Sequence, residues 1–275
     1  MKTYLIVNAD DFGRTLEIND GIAHAFQHGV VSNTTIMANF PAFDDAVAKA
    51  LKHDIPVGLH FNLTDGRPVS RPEDVPSLVD SNGHFYRKFS FYRRLLARRL
   101  RAQDIRREFK AQLLKCLENG LALDHYDGHH HVHALRGIAT ITQSLFRDYK
   151  ELPFRRISWP HWSQNGASKA QQVAIHLFED RMLNHRNAAT QFWGFDFMDR
   201  GDKMTAFINM LEKMQPGFHE MMCHPGYKSR EFIGYYNDQR EREVVVLSDE
   251  KLGAKIKGMD IQLVSYRDLS GAIKK

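Results

Sequence analysis

Cysteine is scarce: Cys116 and Cys223 are the only two in 275 residues, far apart and in no Cys-x-x-Cys pair. That excludes a disulfide framework and a zinc–thiolate site, and predicts two buried thiols. There is also no apolar run long enough to span a bilayer. The opening Tyr4-Leu5-Ile6-Val7 meets Asp10-Asp11 before it reaches the length of a signal-peptide core, so a cytoplasmic location is expected. No internal repeat or low-complexity tract interrupts the chain. Nor does either sign of charge dominate: 38 Lys and Arg stand against 33 Asp and Glu, and with 43% hydrophobic residues this is not the composition of a disordered chain. The length suits a single domain spanning residues 1–275.

The small positive excess is concentrated in Arg93-Arg94, Arg98-Arg99, Arg101 and Arg106-Arg107, among Phe89, Phe91, Tyr92, Leu95, Leu96 and Leu100. This basic aromatic insertion, around residues 84–107, reads as an amphipathic helix with a solvated face or a peripheral membrane contact. No nucleic-acid partner is expected.

Strand-like and helical segments alternate. Lys2 to Asn8, Ser32 to Met37, Pro56 to Leu63, Asp124 to Asp127, Phe154 to Trp159, Phe218 to Cys223 and Ile261 to Ser265 read as strands. Ile18 to His28, Phe43 to Lys52, Ile105 to Asn119, Ile138 to Arg147, Lys169 to Leu183 and Met204 to Met214 carry helical spacing. Such alternation implies an α/β fold with a parallel sheet. Polar residues gather at strand ends: Asp10-Asp11, His60, Asp127 to His133, and His224. In a β/α barrel those ends share one rim, so residues distant in sequence converge there.

Two adjacent carboxylates in Asn8-Ala9-Asp10-Asp11-Phe12-Gly13 repel unless a cation or a shared proton intervenes, although an Asp before a helix also serves as an N-cap. Asp127-Gly128-His129-His130-His131-Val132-His133 holds four histidines in five positions, a density that packing does not explain and metal ligation does. If the strand continues, His129, His131 and His133 share a side. Three protein ligands and an open position suit a catalytic metal. His60, alone in an apolar strand, and His224, entering the turn Pro225-Gly226, gain meaning from that company. Trp159, Trp162 and Trp193 could stack on the apolar faces of a substrate or fill the core.

In Asn8 to Gly13, Gly58-Leu59-His60-Phe61-Asn62-Leu63-Thr64, Asp127 to His133 and Cys223-His224-Pro225-Gly226, the chain resembles the YdjC-like carbohydrate deacetylase family, which includes chitooligosaccharide deacetylases and hopanoid-associated members. Ser32-Asn33-Thr34-Thr35 and Leu263 to Leu269 extend the likeness over nearly the whole length. The resemblance implies a distorted (β/α) barrel of the polysaccharide-deacetylase-like type and metal-dependent removal of an acetyl group from an N-acetylated sugar, either an oligosaccharide or a glycolipid head group. It implies Asp11, His60 and His129 as metal ligands, Asp10 as base and His224 as acid. Asp127, His131, His133 and Asn62 are left as supporting or substrate-contacting residues.

One divalent ion is implied, Mg²⁺ or Zn²⁺. Two imidazoles and a carboxylate suit zinc, iron, cobalt or nickel better than magnesium, and the ion stays open. A homodimer is a further expectation. A phosphoesterase and a non-catalytic sugar-binding or regulatory barrel are the alternatives.

Overall fold

The computed structural model describes residues 2–147, 152–157, 191–199, 201–231 and 236–272. Seven parallel strands form one sheet: β1 (Thr3–Phe12), β2 (Asn33–Ile36), β3 (Val57–Phe61), β4 (Leu123–Gly128), β5 (Gln191–Trp193), β6 (Gly217–Cys223) and β7 (Ile261–Leu263). Their order is β4-β3-β2-β1-β6-β5, with β7 paired to the start of β1. Between them lie α1 (Leu16–His28), α2 (Phe43–His53), α3 (Lys88–Leu96), α4 (Ala102–Glu118) and α5 (Ile138–Arg147). Further helices cover Phe195–Asp199, Lys203–Leu211, Tyr236–Leu247, Glu250–Gly258 and Tyr266–Ala272. No helix among the described residues is long and apolar enough to cross a membrane.

The sheet is curled into a half-barrel, and one side chain shows it. Phe154 bridges to Tyr126 on β4, so Arg155 lies one step outside the β4 edge. Five strand spacings separate that position from β6, about 24 Å in a flat sheet. Arg155 nevertheless bonds Glu220 on β6 at 2.7 Å and Asp10 on β1 at 2.7 Å, which requires the sheet to close around it. The barrel expected from the alternation is therefore present as an incomplete one.

Alternation along β1 sorts the two faces. Leu5, Val7 and Ala9 belong to the main core beneath the helices, whereas Ile6 packs with Val264, Tyr266 and Leu269 as a floor plug. Above that floor the concave face is polar. Asn8, Asp10, Thr35, His60, Asp127, Arg155 and Glu220 form one connected, fully buried network. Gly58 makes room for His125, whose ring stacks on Tyr266 of the floor: a Cβ at Gly58 would stand 2.3 Å from that ring.

At the rim, β1 carries a bulge. Ala9 pairs with Thr34 and Phe12 with Ile36, so three steps on β1 answer two on β2. Asp11 takes the extra position with φ 71°, in the left-handed region that Asp tolerates better than most residues. Neighbouring residues of a regular strand point to opposite faces; the bulge lets both Asp10 and Asp11 face the same cavity.

The sequence-predicted boundaries hold within a few residues, with three differences. The insertion is the short helix α3, a turn with Arg98 at φ 55°, and the opening of α4 from Ala102, and not one continuous helix through residue 107. Residues 129–134 leave the extended conformation at once: His129–Ala134 is a 3-10 turn in which His130 and His131 have φ of 53° and 59°. The side-sharing of His129, His131 and His133 therefore fails, since alternation applies only while the strand lasts. The strand expected from Phe154 is a single bridge, Phe154 to Tyr126, with residues 155–157 in no strand; its remaining residues Ser158 and Trp159, and the helical segment Lys169 to Leu183, lie outside the described residues.

Candidate active site

A cavity of about 280 Å³ opens at the C-terminal rim of the strands, lined by the two carboxylates of β1, His60, the histidine turn, His224, Tyr236 and Arg240. Asp11, His60 and His129 offer ligand atoms all within 4.8 Å of one another. His60 Nε2 stands 3.6 Å and His129 Nδ1 3.1 Å from Asp11 Oδ1. That buried Oδ1 accepts no hydrogen bond even so. An orphaned carboxylate oxygen facing two imidazole nitrogens is the arrangement a divalent cation would satisfy, and the donor set fits a borderline metal of the zinc type.

The remaining atoms of these groups are already held. Asp127 Oδ1 lies 2.6 Å from His60 Nδ1, with Thr35 Oγ1 at 3.1 Å from the same nitrogen. A carboxylate on one ring nitrogen fixes the tautomer and turns the other outward as a ligand. Burial lowers the His60 pKa, and Asp127, Asp10 and Asp11 more than offset it, so the net direction is upward. The other oxygen of Asp11 is bonded by Arg240. Burial raises the Asp11 pKa and Arg240 with His129 pulls it the other way, so the carboxyl ends well below the usual range.

Asp10 belongs to a different arrangement. Its two oxygens receive Arg155 Nη1 and Nη2, each at 2.7 Å, and Asn8 donates to it at 2.8 Å. Arg155 also pairs with Asp127 at 2.8 Å and Glu220 at 2.7 Å, so one buried guanidinium serves three buried carboxylates. Against the burial that opposes its charge, Arg155 keeps Asp10 ionised, with a pKa far below the usual carboxylate range.

Across the cavity, His224 Nε2 lies 4.0 Å from Asp10 Oδ2. Its loop is clamped where Gly226 meets Gly21 of α1: a Cβ on Gly21 would stand 2.4 Å from the Gly226 Cα. Glu243 accepts the His224 backbone N–H at 2.5 Å and the Tyr236 hydroxyl at 2.7 Å, and is paired with buried Lys203 at 3.1 Å. The Tyr236 hydroxyl, which donates its hydrogen bond to Glu243, turns its oxygen to His224 Nδ1 at 3.4 Å. That arrangement favours the proton on Nδ1 and leaves Nε2 to the cavity. Burial lowers the His224 pKa despite the opposing pull of Asp10 and Asp11.

The other predicted residues are spent elsewhere. His133 Nε2 bonds the Arg155 carbonyl at 2.9 Å, and His131 packs between Phe192 and Phe195 while lining the cavity. Asn62 closes its own loop: Oδ1 accepts from the Thr64 and Asp65 N–H groups, and Nδ2 donates to the Asp65 carbonyl. Trp193 donates to His219 and does not line the cavity; Trp159 and Trp162 lie outside the described residues. Cys116 and Cys223 are free and buried.

These histidines set the stability profile. Burial lowers His130 and His131 well below the ordinary imidazole value and His133 to about 4. The folded chain therefore resists protons that the unfolded chain takes up below about pH 6.5. Stability is complete above that pH and lost as pH falls through about 4, by a few kcal/mol in all. His60, raised, works in the opposite sense but is outnumbered. Urea melts at stepped pH should show the denaturation midpoint falling between pH 6.5 and 4; a flat midpoint over that window would count against neutral buried histidines.

A family profile described as YdjC-like protein matches residues 4–258. A carbohydrate deacetylase from Geobacillus stearothermophilus is 36% identical over 272 residues, covering 98% of each chain. A chitooligosaccharide deacetylase from Yersinia enterocolitica is 33% identical over 274 residues, covering 98% of this chain and 100% of its own. Among solved structures, a candidate cellobiose-phosphate cleavage protein from Enterococcus faecalis superimposes with a TM-score of 0.79 at 26% identity, over 98% of this chain and 99% of that one. A CE4 family pseudoenzyme from Bacillus anthracis, at 10% identity and a TM-score of 0.52 over 98% of this chain and 65% of that one, shares the fold alone.

Proposed function

The chain belongs to the YdjC-like protein family, and on that premise we propose that it is a carbohydrate N-deacetylase, a hydrolase that releases acetate from an N-acetylated sugar with the help of one divalent metal. The observation that carries the reading is the pairing of two differently furnished carboxylates: Asp11 faces His60 and His129 with an unsatisfied oxygen, while Asp10 is held ionised by Arg155.

Asp11, His60 and His129 would hold the metal, zinc, iron, cobalt or nickel suiting this donor set better than magnesium. When bound, such an ion polarises the amide carbonyl and makes water a stronger acid. Asp10, ionised and aimed into the same space, accepts the proton of the attacking water. His224 stands opposite, with Nε2 free to pass a proton to the departing sugar nitrogen; its lowered pKa makes it the stronger donor once protonated. Asp127 holds His60 in the ligating tautomer, and His131 contributes a wall of the cavity. A cavity of about 280 Å³ is at the small end of ligand clefts and suits a single sugar unit with its acetamido group.

A two-metal phosphoesterase would need a second cation beside Asp10 and Asp127, where the Arg155 guanidinium already lies. The test is a screen for acetate release from N-acetylglucosamine, its chitooligosaccharides and N-acetylated glycolipids, with p-nitrophenyl phosphate alongside. Acetate release from at least one amide is expected. Phosphate release with no acetate would replace this reading with the phosphoesterase.

A further inference from the structure

Helix α3 is apolar on the wrong side as well as the right one. Its inner stripe, Phe91 and Leu95, packs on the core. Its outer stripe runs through Phe89, Arg93 and Leu96, at i, i+4 and i+7, so these three project together. Phe89 is 89% exposed and Leu96 63% exposed. A surface helix of a globular protein ordinarily carries polar residues there. Isolated exposed apolar side chains are unremarkable, but these two share a stripe with a cation between them.

The segment that carries the helix has charges of one sign. From Ser81 to Gln103 the sequence has seven cations, Arg87, Lys88, Arg93, Arg94, Arg98, Arg99 and Arg101, and no Asp or Glu. Arg87, Arg93, Arg98, Arg99 and Arg101 are exposed. Such a helix, with Phe and Leu projecting through a field of arginines, matches a surface that is anionic and has a hydrocarbon layer beneath. A nucleic acid or an acidic protein would engage the arginines but offers no such layer.

We propose that α3 and the basic turn after it form a docking surface for an anionic lipid bilayer, with the arginines at the headgroups and Phe89 and Leu96 inserted below them. The surface adjoins the cavity: Tyr92, on the same helix, donates its hydroxyl to the His130 carbonyl at 3.2 Å. Docking therefore brings the histidine turn and the rim of the cavity close to the headgroups. This inference stands on α3 alone and does not depend on the reaction proposed above.

Co-sedimentation of the full chain with vesicles tests it. The protein should pellet with mixed phosphatidylcholine–phosphatidylglycerol vesicles and not with pure phosphatidylcholine, and rising salt should weaken the binding. Phe89→Ser with Leu96→Ser should reduce partitioning at least about tenfold with an unchanged melting temperature, since both side chains are exposed. Phe89→Trp supplies a readout independent of folding: its fluorescence should shift to the blue on adding mixed vesicles, beyond any change in the parent protein. Equal binding to both vesicle types, or full partitioning by the double serine variant, overturns the proposal. So does retention that responds only to the arginines and is reproduced by RNA.

Discussion

Asp10→Asn should lower kcat for acetate release by about 10² to 10⁴-fold while leaving the bound metal in place. Asparagine is nearly isosteric with aspartate and still accepts a hydrogen bond from Arg155 or Asn8. Arg155 loses one anionic partner of three and keeps Asp127 and Glu220, so the buried cation remains compensated. Asp10 is not one of the three residues, Asp11, His60 and His129, whose ligand atoms converge around the unsatisfied Asp11 oxygen. What the variant loses is the ionised acceptor that Arg155 maintains in the cavity. Steady-state acetate assays with metal analysis of the same preparation would check this. Loss of metal with the loss of turnover would make Asp10 a structural support of the ligand site; unimpaired turnover would remove it from the chemistry.

Arg155→Met should be the most destabilising single change in the site. The guanidinium is wholly buried and is the common partner of Asp10, Asp127 and Glu220. Its removal leaves three carboxylates crowded in low dielectric, and losing one partner of a buried pair costs about 3–5 kcal/mol. For a chain of this size that is a fall in melting temperature of roughly 6–20 °C. Arg155→Lys retains the charge but not the fork that reaches both oxygens of Asp10 while bonding Glu220. It should recover part of the lost stability and little of the activity. Calorimetric melts of both variants beside the parent are the check. A methionine variant that melts with the parent would mean the carboxylates take up protons without cost, and that Arg155 does not keep Asp10 charged.

The parallel sheet was legible because its strands are apolar and spaced by helical segments, and the rim was legible because polar residues follow those strands directly. Asp11, His60 and His129, nominated by motif resemblance, lie together, and Asp10 and His224 face each other beside them. Sequence reading missed the devices that hold them. The bulge at Asp11 has no signal beyond the Asp-Asp pair itself, because left-handed geometry at an Asp is set by pairing with β2. Arg155 stood in a segment read as a strand, where a charged residue directly after Pro153-Phe154 was the available cue. Arg240, Tyr236 and Glu243 were missed together: the helix Tyr236–Leu247 turns Gln239, Arg240 and Glu243 inward beside Val244 and Leu247, so its buried face is largely polar and the apolar periodicity that reveals a helix is weak. Strand β5, three residues long, is too short for any pattern to show.

Stepwise return of zinc, cobalt, nickel or magnesium to metal-depleted protein, with acetate release from an N-acetylated sugar followed at each addition, tests the site most directly. Turnover should be absent after chelation and recover in full at one equivalent of metal per chain, with His60→Gln and His129→Gln binding the ion much more weakly. Full turnover without metal, or recovery only at two equivalents, would contradict a single ion held by Asp11, His60 and His129.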